Sequence, residues 1–298
     1  MSFSSNAKAE ICKTAITKRC CAVAESCGVL LYCNTFSPEL IRIVTESPDF
    51  SERLPRLFRK AFNLDFDLLP EAGSRGKHAF QITDGEKIRR IFQAFGCAPE
   101  DSLALHISYG ILENPCCQAS FLRGAFLAGG SVTDPEKRYH LELATTHFNV
   151  SREAYSLLLE LGFSPKDTVR NGSSILYFKQ SDYIEDFLTF LGAPVCAMGV
   201  MEAKVEKDMK NKINRIVNCD TANMSKVVDA AQAQISAIHR LREQGRLETL
   251  PDKLKQTALL RLDNPDAKLS ELAQLVQPPI TKSAMNHRMR KLMELAKE

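Results

Sequence analysis

The residues best suited to chemistry lie near the end of this 298-residue chain, in a basic stretch that has no acid between residues 280 and 293. In the major groove of DNA, Arg can read guanine and Asn can read adenine, whereas Lys and a helix N-terminus hold phosphates. The predicted base contacts are Ser283, Asn286, His287 and Arg290, and the predicted backbone contacts are Lys282, Arg288 and Lys291. The alternative is a solvated basic face on a terminal helix.

A helix-turn-helix unit would position these residues. The sequence predicts helices over residues 221–244, 252–262, 269–276 and 281–297. Thr281 can cap the last helix, and the Gln277-Pro278-Pro279 segment breaks the chain before it. The apolar residues of the last helix share the face opposite to the basic one: Met285, Met289, Leu292, Met293 and Ala296. Two short helices, a break and a basic helix favour a helix-turn-helix.

Charge is distributed unevenly along the chain. Residues 1–202 carry 21 Lys and Arg against 24 Asp and Glu, whereas residues 203–298 carry 18 against 12. The net charge of +3 therefore combines a slightly acidic body with a basic C-terminal segment. This asymmetry favours double-stranded DNA as a partner of the C-terminal segment, and it makes a strongly basic DNA-binding surface on the body less expected.

The composition, 44% hydrophobic and 25% charged, is typical of a soluble globular protein. No run of about 18 apolar residues predicts a membrane span. Residues 1–18 lack the apolar centre of a signal peptide, because Lys8, Glu10 and Lys13 interrupt it. We therefore expect a cytoplasmic, nucleoid-associated protein with no membrane partner, no cofactor and no small-molecule substrate.

The ten cysteines are the other residues with chemical potential. No Cys-x-x-Cys sequence occurs, and neither vicinal pair, Cys20-Cys21 or Cys116-Cys117, can easily place both of its thiolates on one tetrahedral ion. We expect small, buried, reduced thiols in helices and no metal site. A redox or cluster role is the alternative.

The first two thirds of the chain repeat themselves at an offset of 96 residues. The two vicinal cysteine pairs correspond, as do Gly28 and Gly124, and Gly96 and Gly192. Because one register holds at both ends of a unit of about 100 residues, we predict a duplicated, pseudo-symmetric body with repeats at about 6–100 and 101–200.

Each repeat is predicted to contain a helix, two strands, a helix, two strands and a helix. In the second repeat these elements cover residues 116–129, 131–133, 139–146, 150–161, 169–179 (a hairpin) and 182–191. In the first repeat, residues 21–33, 49–62 and 85–95 are predicted helices, and residues 66–83 the second strand pair. Asn171-Gly172 predicts a type I′ turn, and Gly162 and Gly192 predict helix ends.

Small residues mark one face of the helix over residues 116–129. Gly124, Ala128 and Gly129 leave little side chain there, so a second helix can approach closely. Because Gly28 occupies the matching position, we expect the helix over residues 21–33 to be that partner. An ordinary core helix with scattered glycines is the alternative.

The segment FLRGAFLAGG, residues 121–130, resembles the LAGLIDADG motif of homing endonucleases. The resemblance implies two αββαββ halves whose motif helices pack at a pseudo-two-fold axis and whose antiparallel sheet forms a saddle over DNA. It also implies a metal-binding carboxylate at the penultimate motif position, where this chain has Gly129 and Cys33. Neither residue suits Mg²⁺, so nuclease chemistry is not expected. Three nearby acids are interpreted as capping, turn and surface groups: Glu25, Asp134 and Glu136.

Nearly the whole chain resembles the WhiA regulators of sporulation and cell division in Gram-positive bacteria. The matching segments are Cys116-Cys117 with FLRGAFLAGG, YHLE at 139–142, NRIVNCDTAN at 214–223, and Lys282-Ser283 followed by Asn286-His287-Arg288. The first motif copy departs from the family at ESCGV, residues 25–29. The resemblance implies an α+β fold: a degenerate, duplicated αββαββα LAGLIDADG-like domain (1–212), a linker (213–221) and an all-α helix-turn-helix domain (222–298).

Three functions are compatible with these features. The first is a DNA-binding transcription regulator without nuclease activity, controlling genes of sporulation, cell division or chromosome segregation as the family resemblance implies. The second is an interaction or nucleoid-associated protein whose N-terminal domain docks a protein partner. The third is an active homing endonuclease, which Cys33 and Gly129 argue against.

Overall fold

The computed structural model describes residues 2–71, 76–96 and 104–297, which form two compact units. The first unit comprises residues 1–207 and the second residues 208–298. The first mixes helices with antiparallel sheets and the second is helical, so the predicted α+β fold class is confirmed. No helix among the described residues is long and apolar enough to cross a membrane.

The first repeat packs four helices against one antiparallel sheet. In chain order its elements are α1 (Phe3–Cys12), α2 (Arg19–Leu31), β1 (Thr35–Phe36), β2 (Ile41–Thr45), α3 (Pro48–Phe62), β3 (His78–Ile82) and α4 (Gly85–Ala94). The sheet order is β1-β2-β3, with Ile43 opposite Phe80. Both of these side chains are buried, so this face of the sheet forms part of the core.

From α2 onward the first repeat has the same order of elements as the second, except that the second has two strands, in a four-stranded sheet, where the first has β3 alone among the described residues. The second repeat contains α5 (Pro115–Gly129), β4 (Gly130–Val132), β5 (Leu141–Thr145), α6 (Phe148–Glu160), β6 (Lys166–Arg170), β7 (Ser173–Phe178) and α7 (Ser181–Leu191). The antiparallel order is β4-β5-β7-β6, with Leu143 opposite Leu176. The predicted type I′ turn is confirmed, since Asn171 and Gly172 both have positive φ, at 50° and 77°.

The second strand pair of the first repeat, predicted over residues 66–83, is only partly correct. Among the described residues it consists of β3 and one isolated bridge between Leu68 and Gln81. Two local features work against a longer strand here. Pro70 cannot donate to a ladder, and the Asp67 carboxylate accepts the backbone N–H groups of Thr83 and Asp84 at 2.7 and 2.9 Å.

Helices α2 and α5 pack backbone against backbone at the centre of the first unit, as the small residues predicted. A Cβ atom at Gly124 would overlap the carbonyl oxygen of Glu25 and lie 2.9 Å from the backbone nitrogen of Val29. A Cβ atom at Gly28 would meet the carbonyl oxygen of Phe121 in the same way. The two contacts are reciprocal, which is the geometry expected of a pseudo-two-fold axis.

A single 50-residue helix, α8 (Pro194–Glu243), runs from the first unit into the second. The helix start predicted at Thr221 is therefore wrong, and the predicted linker, residues 213–221, is an exposed part of α8. The physical reason is that no Gly or Pro occurs between residues 200 and 244. Thr221 alone cannot end a helix when no helix breaker stands beside it.

The second unit packs three short helices on the end of α8. These are α9 (Asp252–Asp263), α10 (Leu269–Leu275) and α11 (Lys282–Leu295), each within a few residues of its predicted bounds. Their buried apolar residues form one core: Ala237, Ile238, Leu241, Leu247, Leu254, Ala258, Leu272, Ala273, Val276, Met285, Met289, Leu292 and Ala296. The helix-turn-helix architecture predicted for this region is confirmed.

Candidate nucleic-acid interface

The last helix, α11, begins at the predicted cap. The backbone N–H of Ala284 donates to Thr281 Oγ1 at 3.2 Å, which satisfies one of the free amides of the first turn. Met285, Met289 and Leu292 are buried against the rest of the second unit. Since these apolar residues fix the rotation of the helix about its axis, the opposite face must point to solvent.

Six of the seven predicted contact residues are exposed: Lys282, Ser283, Asn286, His287, Arg290 and Lys291. Lys282 lies in the first turn on the side of the buried Met289, and the other five line a groove on the solvent side. Arg288 differs from them because it is only partly exposed. Its Nη1 atom lies 3.5 Å from Oγ1 of the buried Thr257 in α9. The structure therefore brings five predicted residues together on one face and places Lys282 and Arg288 outside this group.

One acidic residue on this face was missed by the sequence reasoning. Glu294 lines a shallow groove of about 450 Å³ with five of the predicted residues: Ser283, Asn286, His287, Arg290 and Lys291. The sequence could have indicated this, because Glu294 follows Arg290 by four residues and Lys291 by three, and residues at these spacings share one face of a helix. A carboxylate can accept a hydrogen bond from cytosine but repels phosphate, so Glu294 limits where a DNA backbone can lie.

A buried arginine organises the turn between α9 and α10. Nη1 of Arg261 donates to the backbone carbonyls of Asn264, Pro265 and Ala267 at 3.4, 3.3 and 2.7 Å. Its side chain is buried, and this burial lowers the pKa of the guanidinium. The contact holds α10 in place under α11, a role that the sequence pattern did not indicate.

The two positions where the LAGLIDADG resemblance implies metal-binding carboxylates, Cys33 and Gly129, are closely packed. A Cβ atom at Gly129 would overlap the carbonyl oxygen of Ala144 and lie 3.0 Å from Cδ1 of Tyr32, so the backbone leaves no room for a carboxylate side chain. The thiol of Cys33 donates to the carbonyls of Leu30 and Thr35, both at 3.2 Å. Burial raises the pKa of this thiol to about 12, so it is protonated at neutral pH.

Glu25 was interpreted as a capping, turn or surface group, and this interpretation is wrong. Its side chain is 2% exposed and accepts two hydrogen bonds from Arg53, at 2.6 Å from Nε and 2.8 Å from Nη2. Nη1 of Arg123 lies 3.6 Å from the same carboxylate. Glu25 thus joins α2, α3 and α5 through charged groups that are buried away from water. Because its partners are distant in the sequence, the residues around Glu25 do not indicate this role.

The sheet of the second repeat exposes a mixed surface. All residues of β6 are exposed, and Arg170 Nη2 on this strand lies 3.1 Å from Oε1 of Glu142 on β5. Burial opposes ionisation of Glu142, but hydrogen bonds from His140 and Arg170 hold its pKa below the usual value. Because Arg170 is paired with Glu142 and β6 also carries Asp167, this surface is less basic than that of α11.

A groove of about 440 Å³ lies between α6 and strands β6 and β7. Two of the residues that line it are large and exposed, Phe148 at 64% and Val169 at 69%. Apolar side chains at that exposure beside a concave surface are typical of protein contact sites.

The cysteine prediction is only partly correct. Cys12, Cys27, Cys117 and Cys196 are buried, as expected. Cys20, Cys116 and Cys219 are exposed free thiols, so the expectation of uniformly buried cysteines is wrong. Cys20 and Cys116 are exposed because the first turns of α2 and α5 extend beyond the tightly packed glycine contacts. Cys219 lies in an exposed part of α8.

Two family models match the chain. One, described as the WhiA LAGLIDADG-like domain, matches residues 118–210. The other, described as the WhiA C-terminal HTH domain, matches residues 213–296. Their order along the chain is that of the two units in the structure.

Curated relatives match over nearly the full length. A protein named "Probable cell division protein WhiA" from Alkaliphilus oremlandii is 36% identical over 310 residues, which cover 99% of this chain and 97% of that protein. A protein of the same name from Desulfitobacterium hafniense (strain Y51) is 35% identical over 306 residues, covering 100% and 96%.

Solved structures support the same fold. The crystal structure of full-length WhiA from Thermatoga maritima is 23% identical, with a TM-score of 0.60, and covers 100% of this chain and 98% of its own. A structure of an N-terminal LAGLIDADG domain of WhiA has a TM-score of 0.50 at 21% identity, covering 64% of this chain and 92% of its own.

Proposed function

The chain belongs to the WhiA family, and on this premise we propose that it is a DNA-binding transcription regulator without nuclease activity. The observation that carries the proposal is the exposed face of α11, where basic and amide side chains surround a helix N-terminus. The regulated genes are those of cell division, sporulation or chromosome segregation. The name of the curated relatives, probable cell division protein WhiA, supports cell division within this range.

The chemistry of the α11 face suits the major groove of duplex DNA. Arg290 can donate two hydrogen bonds to guanine, and Asn286 can pair with adenine. Lys282 lies in the first turn, where the helix dipole adds to its attraction for a phosphate. Ser283 and His287 complete the base-reading group, and Lys291 contacts the backbone. Arg288 contacts the DNA backbone from the edge of this face, and its weak hydrogen bond to Thr257 must break for it to do so.

The charge distribution supports DNA binding through the second unit. Residues 203–298 carry six more basic than acidic side chains, whereas residues 1–202 carry three more acidic than basic ones. A polyanion is therefore attracted to the helix-turn-helix and weakly repelled by the body. Association with the nucleoid follows from this proposal.

The absence of nuclease activity is part of the proposal. Hydrolysis by LAGLIDADG enzymes depends on metal-binding carboxylates at the two motif positions. Gly129 offers no side chain and stands against the Ala144 backbone, and Cys33 offers a protonated thiol. A hard cation such as Mg²⁺ would find no suitable ligand at either position.

Replacing Arg290 tests the proposed interface. We expect Arg290→Ala to weaken binding by about 1–3 kcal/mol and to relax the preference for one base pair, because a bidentate base contact is lost. The measurement is fluorescence anisotropy of the full-length protein on duplexes selected from a randomised library. Lys226→Ala, which removes an exposed charge from α8, serves as the control and should keep the base preference. Unchanged affinity and preference in Arg290→Ala would remove this residue from the interface.

Docking of a protein partner is a second candidate function for the first unit. The exposed Phe148 and Val169 beside the groove of α6, β6 and β7 favour it. This function is compatible with DNA binding by α11, since the two surfaces belong to different units.

A further inference from the structure

The two vicinal cysteine pairs meet at the start of the paired helices. Cys20 and Cys21 lie in the first turn of α2, and Cys116 and Cys117 in the first turn of α5. The Sγ atoms of Cys20, Cys21 and Cys117 all lie within 4.8 Å of one another. The thiol of Cys116 is in hydrogen-bonding contact with that of Cys21. All four cysteines are free.

The repeat explains why these thiols converge. Cys21 precedes Gly28 by seven residues, and Cys117 precedes Gly124 by seven. Seven residues are about two helical turns, so each cysteine lies on the face that carries the glycine and looks toward the other helix. Cys20 and Cys21 are vicinal, but their Sγ atoms lie within 4.8 Å of each other and of that of Cys117. The geometric objection to placing two vicinal thiolates on one ion therefore does not hold for this pair.

The distances suit a thiolate metal centre. In a tetrahedral zinc site the Zn–S bonds are about 2.3 Å, which places the sulfur atoms about 3.8 Å apart. Sulfur atoms within 4.8 Å reach that spacing after shifts of about 1 Å. Cys20 is exposed and Cys21 partly exposed, so a cation can enter from solvent, while the buried Cys117 forms the floor of the site.

The helix termini also favour thiolate ligands. All four cysteines belong to the first turns of α2 and α5. The partial positive charge of a helix N-terminus stabilises an anion there.

We propose that Cys20, Cys21 and Cys117 bind one zinc-class cation on the pseudo-two-fold axis, with Cys116 as the fourth ligand. The site fits a soft or borderline cation such as Zn²⁺ and excludes Mg²⁺, because all its ligands are sulfur. The cation ties the first turn of α2 to that of α5. It is a structural site, separate from the motif positions Cys33 and Gly129.

Cobalt provides the test, because Co²⁺ bound by thiolates in tetrahedral geometry has charge-transfer bands and intense visible bands. The full-length protein is reduced, stripped of metal with a chelator and titrated with Co²⁺ without oxygen. We expect one equivalent to produce both sets of bands and Zn²⁺ to displace them. Zn²⁺ should also raise the Tm of the parent protein.

Single serine variants identify the ligands. We expect Cys20→Ser to weaken Co²⁺ binding at least about ten-fold, which is about 1.4 kcal/mol, and to abolish the Zn²⁺-dependent rise in Tm. Because Cys20 is exposed, this variant should fold like the parent. Cys219→Ser, which removes an exposed thiol from α8, is the matched control and should bind like the parent.

Three results would overturn the proposal. The first is a reduced parent protein that shows no thiolate bands with Co²⁺ and no change of Tm with Zn²⁺. The second is binding that survives both Cys20→Ser and Cys117→Ser. The third is a protein that binds neither Co²⁺ nor Zn²⁺ but forms a disulfide between α2 and α5 in air. This result would assign the cysteine cluster to redox chemistry.

Discussion

Gly124→Ala should lower the stability of the first unit by about 3 kcal/mol, at the upper end of the cost of overpacking a core. A single methyl group at this position would overlap the carbonyl oxygen of Glu25. Because that oxygen belongs to helical backbone, it can move only if α2 and α5 separate. For a unit of about 200 residues we expect a fall in Tm of about 6–12 °C by calorimetry.

Gly85→Ala is the control for this prediction. Gly85 is the first residue of α4, and a Cβ atom there would meet nothing within 4 Å. Its replacement should change stability by no more than about 0.5 kcal/mol. Equal Tm values for Gly124→Ala and the parent would contradict close packing of the two motif helices.

Glu25→Ala should cost about 3–5 kcal/mol, because it leaves two guanidinium groups with their charges uncompensated inside the first unit. Arg53 keeps its hydrogen bonds to the carbonyls of Cys12 and Thr14, at 3.0 and 2.6 Å, but loses both bonds to the carboxylate. Arg123 loses the same carboxylate, which lies 3.6 Å from its Nη1 atom. The loss would be measured as a change in the free energy of unfolding of the first unit, by chemical denaturation.

An exposed ion pair of the same type gives the comparison. Arg59 and Asp65 lie 2.6 Å apart, with side chains 67% and 64% exposed. Asp65→Ala should therefore cost no more than about 1 kcal/mol, since water solvates the remaining charge. If Glu25→Ala and Asp65→Ala proved equally mild, the buried carboxylate would not be the junction of α2, α3 and α5.

Features with local causes could be predicted from the sequence. The Asn171-Gly172 turn follows from the two residues that most readily adopt positive φ. Thr281 caps α11 as its hydroxyl allows, and the apolar spacing of Met285 and Met289 fixes which face is exposed. The matched glycines predicted the helix pair, because an internal repeat supplies a contact between distant residues.

Features with nonlocal causes could not be predicted. The pair of Glu25 and Arg53 joins residues 28 positions apart on different helices, and neither residue has a distinctive neighbourhood in the sequence. The cysteine cluster combines ligands from both repeats. Thr221 has a good capping side chain, but the uninterrupted helix propensity around it decides the outcome, and α8 continues.

We propose above all that α11 reads DNA on a LAGLIDADG-like scaffold. Photo-crosslinking of the full-length protein to a selected duplex, followed by peptide mass spectrometry, tests this proposal most directly. We expect crosslinks within residues 282–291, concentrated on the exposed face of α11. Crosslinks confined to the strands β4 to β7, with none in α11, would contradict the proposal.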